Sequence, residues 1–221
     1  MFSHWARVAS SSDTRQAVWF WWIVISTIAA IVAALIQWRI RTLFLSGPDF
    51  ILAHSLGYDF LAQDLGYVAT VLGVIVVSGA QWLLLRHYRL AVDWWVPATA
   101  VAGTLDAVVL IPTVLRAVYS LAGHPAMPTL NVVVAAGGAA LAASGLLVGT
   151  AQWFVLRGNG RTVAIGWIPA TVLGGVMAGS ITTAISSHVR LPPVLVISAL
   201  AAVGALLLAA VQAPILRRLA A

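Results

Sequence analysis

The sequence predicts an all-α polytopic membrane protein: about six transmembrane helices in one bundle, with a two-helix parallel internal repeat and one outer amphipathic helix. Three observations predict it. The 221-residue chain is 62% hydrophobic and only 8% charged, whereas soluble domains carry about a quarter charged residues. Six stretches reach the ~20 mostly apolar residues that cross a ~30 Å hydrocarbon layer. A short motif also recurs in segments that would run in the same direction across the bilayer.

Residues 1–16 are read as a cytoplasmic N-terminal tail and 17–221 as a single transmembrane domain, with spans at 17–38, 66–85, 94–121, 130–156, 163–186 and 193–216. The first span opens on Trp19-Phe20-Trp21-Trp22. Its apolar run exceeds the ~7–15 residues of a signal-peptide core, and Arg39 and Arg41 stand where a cleavage site would follow. The third span contains Pro97, Asp106 and Pro112. Between the first two spans, Ser46-Gly47-Pro48-Asp49 is a turn signal. In the segment 50–65 that follows it, Phe50, Ala53, Leu56, Phe60, Leu61 and Leu65 recur at helical spacing. His54, Ser55, Asp59 and Gln63 fall largely on the other side. This predicts an amphipathic helix on the outer membrane surface, serving as a lid on the bundle or as a docking surface.

The net charge is +6, every cation of the Lys/Arg pair is Arg, and every acid is Asp. With abundant Ala, this resembles a high-GC bacterial coding bias and suggests a bacterial cytoplasmic membrane. The arginines are scattered at segment ends, which predicts headgroup anchoring and topology control rather than nucleic-acid binding. With both termini inside, the inner segments hold Arg7, Arg15, Arg86, Arg89, Arg157, Arg161, Arg217 and Arg218, and the outer ones Arg39, Arg41, Arg116 and Arg190. The bias favours cytoplasmic termini. Trp38, Trp82, Trp94, Trp95, Trp153 and Trp167 lie near predicted helix ends and are expected at headgroup depth.

The repeat is explicit. Ala80-Gln81-Trp82-Leu83-Leu84-Leu85-Arg86 closes the second span and Ala151-Gln152-Trp153-Phe154-Val155-Leu156-Arg157 the fourth. The third span then opens with Trp95-Val96-Pro97-Ala98-Thr99 and the fifth with Trp167-Ile168-Pro169-Ala170-Thr171. Val211-Gln212-Ala213-Pro214-Ile215-Leu216-Arg217 is a degenerate third copy, and Ile36-Gln37-Trp38-Arg39 echoes it in the first span. The period is two helices in one orientation, so the repeat axis runs along the membrane normal, unlike an inverted repeat. Gln near a helix end can bond a neighbouring helix or a headgroup, and Arg beyond it snorkels to phosphates. This pattern resembles that of bacterial polytopic membrane proteins built from repeated helical hairpins, best over Gly66–Leu105 and Leu141–Met177. The resemblance brings no activity with it.

Asp106 is the outstanding polar candidate. A charge at mid-span costs at least ~2.5–3.5 kcal/mol on insertion scales, so the residue is expected to face the bundle interior, paired or protonated. It is either a proton or cation site or a structurally bonded carboxyl. Gln81, Gln152 and Gln212 are the other intramembrane polar candidates. Gly145 with Gly149, and Gly175 with Gly179, have the GxxxG spacing that lets helix backbones approach. These predict close packing of the fourth and fifth spans, with a homo-oligomer contact as the lesser reading. Histidines fall outside the mid-membrane zone, and the outer ones with Asp49, Asp59 and Asp64 lack metal-ligand spacing. Cysteine is absent. No metal, cofactor or catalytic residue is predicted, because no nucleophile–base pair or phosphate loop is visible. The expected partners are the lipid bilayer and other membrane-protein subunits. The sequence therefore favours a non-catalytic accessory or scaffold subunit of a membrane complex, with a small-solute, ion or proton transporter or channel using Asp106 as the alternative.

Overall fold

The computed structural model describes residues 11–45, 59–88, 90, 92–123, 129–158, 164–188 and 192–219. Six helices are long and apolar enough to cross a membrane, and no strand occurs among the described residues. They are α1 (Ser11–Leu45), α2 (Asp59–His87), α3 (Trp95–Leu121), α4 (Leu130–Leu156), α5 (Trp167–Ser186) and α6 (Pro193–Leu219). Residues 46–58, most of the segment expected as an outer amphipathic helix, lie outside the described residues, as do 1–10 of the tail. The part from Asp59 onward is the first turns of α2.

Hydrocarbon leaves no water to satisfy N–H and C=O groups, so each apolar segment closes its own hydrogen bonds as a helix. Three of the helix prolines sit where this costs least, while Pro112 and Pro214 lie inside their helices. Pro97 and Pro169 fall in the first turns of α3 and α5, where N–H groups have no intrahelical partner. Pro193 opens α6. Pro112 lies deep in α3 and has a consequence. It lacks an N–H, and its ring crowds the carbonyl four residues back. The preceding turn, Asp106–Leu110, widens to a π-helix in which the Ile111 N–H reaches the Asp106 carbonyl.

Each helix packs on the next in sequence, and α6 packs back on α1, closing a six-helix ring. The α4–α5 seam is the closest. A Cβ at Gly145 would come within 2.5 Å of the Thr171 carbonyl oxygen, Gly175 lies against the Leu141 carbonyl, and Gly179 lies against the Gly137 carbonyl. Gly149 meets the Thr171 side chain. Backbones this close gain dispersion that lipid tails cannot match, because lipid is as apolar as the helices.

The two ends of the ring are filled differently. Large buried side chains (Trp22, Leu85, Trp95, Leu156, Trp167 and Leu216) cluster at the end where α1, α3 and α5 begin. Towards the other end the interior is lined largely by Ala and Gly.

Candidate functional site

The large-residue end is centred on three tryptophans, one from each odd-numbered helix. Trp22, Trp95 and Trp167 are fully buried and meet edge to face in all three pairings, with centroids 6.1, 5.7 and 5.9 Å apart. Such pairs contribute about 0.5–1.5 kcal/mol each beyond their burial. Trp95 and Trp167 open their spans, at helix ends as the sequence suggested, but they face inward and plug the ring axis instead of pointing out towards lipid headgroups. Trp167 Nε1 donates to Gln152 Oε1 at 3.0 Å, whereas the Nε1 atoms of Trp22 and Trp95 make no hydrogen bond, so the burial of those two rests on ring packing. Trp94, one residue earlier, keeps the interfacial character with 73% of its surface exposed. Trp82 and Trp153 stack under Arg86 and Arg157 at 5.1 and 5.7 Å.

A polar layer rests on this plug. Gln81 Nε2 donates to Ser26 Oγ at 3.1 Å, Gln152 Nε2 to Thr99 Oγ1 at 3.3 Å, and Gln212 Nε2 to Thr171 Oγ1 at 3.0 Å. All six residues are buried. Each bond joins the two helices of one hairpin, α1–α2, α3–α4 or α5–α6, so the same arrangement recurs in three successive hairpins. The hydroxyl partner lies four residues after its tryptophan, and a fully buried leucine (Leu85, Leu156 or Leu216) lies four residues after each glutamine. Trp22-x-x-x-Ser26 is the first-hairpin member that motif comparison missed, because its helix carries three other aromatics beside it and no proline. The echo at Gln37 does not belong to this layer. It lies fifteen residues beyond Trp22, ~22 Å up a helix, beside Gly73.

The symmetry breaks at Asp106. Eleven residues after the tryptophan the other two hairpins have Ala33 and Ala178, and eight residues before the glutamine they have Gly73 and Gly204. Those residues face each other: a Cβ on Gly73 would lie 3.5 Å from Ala33, and one on Gly204 3.8 Å from Ala178. In the middle hairpin the same positions hold Asp106 and Ser144, and Ser144 Oγ lies 2.7 Å from Asp106 Oδ1 and 3.0 Å from the Ala140 carbonyl. Asp106 is also the first residue of the π turn. Arg116 is not among its hydrogen-bond partners. Ser144 was not legible as a partner, since Ser is common in helices and only the pairing gives it meaning.

Above the glutamine layer lies a chamber of about 310 Å³, with Ser26, Gln81, Thr171 and Gln212 at its plugged end, Ser144 on its wall, and Ala and Gly together with Val77, Leu141, Val148 and Leu208 around the rest. Its upper wall at Leu141, Ala201 and Gly204 is shared with a second cavity of about 320 Å³ that reaches Thr183 and Ser186 near the end of α5. The interior is thus blind at the tryptophans and continues towards the opposite end.

Among the described residues no three His, Cys, Asp or Glu side chains converge. His188 is exposed and bonds locally to Ser187. The side chains of His54, Asp49, Asp59 and Asp64 lie outside the described residues, as does His124. Compared with protein-family models, with curated proteins and with solved structures, the chain has no match.

Proposed function

We propose that this chain is a non-catalytic accessory or scaffold subunit of a membrane-protein complex, seated in the bacterial cytoplasmic membrane with both termini on the cytoplasmic side. The observation that carries this reading is the blocked axis: three mutually packed tryptophans plug one end of the ring, and each glutamine above them bonds to a hydroxyl on the paired helix. A bundle built this way holds its shape and offers its long apolar outer faces to lipid and to neighbouring subunits. The orientation rests on Arg86, Arg157, Arg217 and Arg218, which all lie at the tryptophan end. Purification from native membranes in mild detergent tests the proposal. Stoichiometric co-purification with other subunits is the expected result; a lone monodisperse protein overturns it. Externally added thiol reagent should fail to label Asn159→Cys and should label Thr129→Cys.

A second reading is favoured by one specific observation. Asp106 opens a π turn, a local feature frequent at functional sites, and bonds to a serine on the chamber wall. This supports an ion or proton transporter with Asp106 as its carboxyl. Flux through proteoliposomes carrying Asp106→Asn decides it: a loss of wild-type flux supports transport, and unchanged flux removes it.

A further inference from the structure

We infer that the chamber is a binding site for an uncharged, elongated apolar molecule with a hydroxyl at one end, a long-chain or prenyl alcohol by chemical class. The head would sit on Gln81 and Gln212 and the chain would run towards Leu141 and Gly204.

The hydroxyl requirement comes from the floor. Thr171 Oγ1 donates its single proton to the Trp167 carbonyl at 2.8 Å. Gln212 must therefore present Nε2 to Thr171, which leaves its Oε1 as an acceptor. In the middle hairpin the equivalent oxygen, on Gln152, is taken by the Trp167 indole. No such indole serves Gln212, because the Nε1 atoms of Trp22 and Trp95 make no hydrogen bond. Gln212 is 3% exposed and lines the chamber. Its Oε1 thus opens on the chamber without a protein donor, and a donor that reaches it there gains a hydrogen bond in an apolar setting.

The rest of the molecule is specified by the walls. No Arg, Lys, His, Asp or Glu lines the chamber, so a carboxylate would enter without a counter-charge at high cost, and the Asp106 carboxyl behind the wall is held by Ser144. From Gln212 to Ala201 the wall rises eleven residues, ~16 Å along a helix, which suits a chain rather than a compact ring. The volume lies at the lower end of small-molecule sites. Entry is from the end away from the tryptophans, through the adjoining cavity.

The test uses the full-length protein in detergent and a diazirine-bearing long-chain alcohol as photoprobe, with labelled peptides mapped by mass spectrometry. Labelling within 141–148 and 201–212, reduced at least tenfold by dodecanol but not by dodecane or dodecanoate, is the expected result. Labelling spread over the lipid-facing surface overturns the site, and equal competition by dodecanoate overturns the neutral head. Gly204→Leu fills the chamber at a position where a Cβ meets only ordinary contacts, and it should lose at least tenfold of the competable labelling with its melting transition retained. Gly79→Ala, whose Cβ meets open space, should keep it. If Gly204→Leu fails to fold, Ala205→Leu on the same wall replaces it. Full labelling in a folded variant of either kind refutes the inference.

Discussion

The Ser144 hydroxyl bonds to the Asp106 carboxyl at 2.7 Å, at the place where the other two hairpins set an alanine against a glycine. One acidic residue and one serine thus replace an apolar contact in only one of three copies. The replacement is coupled: each residue's presence is explained by the other.

That coupling is measurable. Ser144→Ala leaves a buried carboxyl without its hydroxyl partner and should destabilise the protein by about 1–3 kcal/mol. Asp106→Ala with Ser144→Gly restores the Ala–Gly contact of the other hairpins and should be at least as stable as wild type. Equilibrium unfolding in mixed micelles checks the full double-mutant cycle. Additive single effects would mean that the two residues are not energetically paired.

The glutamines should differ in cost although they occupy equivalent places. Gln152 makes two buried bonds, to Thr99 and from Trp167, whereas Gln81 makes one, to Ser26. Interhelical bonds in membranes average about 0.6 kcal/mol. Gln152→Leu should therefore cost about twice as much as Gln81→Leu and leave the Trp167 N–H unpaired. Thermal melts of both variants should show the larger drop for Gln152→Leu.

Removing one member of the tryptophan plug should be expensive. Trp167→Ala opens a cavity where two other indoles converge and should cost about 3 kcal/mol or more. Trp94→Ala, at an exposed neighbouring site, should change the melting temperature little. Similar effects of the two substitutions would contradict the burial of Trp167.

Close packing of α4 on α5 makes a further contrast. Gly145→Leu must displace the Thr171 backbone and should lower the melting temperature sharply. Gly79→Ala meets nothing and replaces a helix-interior glycine, so it should be neutral or stabilising by about 0.5–1 kcal/mol. Detergent-solubilised melting curves distinguish the two.

Much of this architecture is written in local sequence. The length and apolarity of six segments specify six spans, because hydrocarbon tolerates no unpaired backbone. The Ala-Gln-Trp and Trp-x-Pro-Ala-Thr motifs revealed the repeated hairpin, and Asp106 stood out because charge is rare at that depth. The inward face of each helix was not legible, since uniformly apolar helices give no periodic contrast between lipid and protein. This is why Trp95 and Trp167 read as interfacial anchors, and why Trp22 and Ser26 were not recognised as the first copy.

Transfer energy and local motif set the solvent of this protein, the number of its spans and the repeat unit before any helix packs on another. Which side chains share the axis emerges only on packing. Closing the ring turned three separated tryptophans into a plug, three glutamines into a layer, and Asp106 and Ser144 into a bonded pair. The physical reason is that polar and aromatic groups in hydrocarbon must find partners across helices, and those partners are chosen by packing geometry rather than by position along the chain.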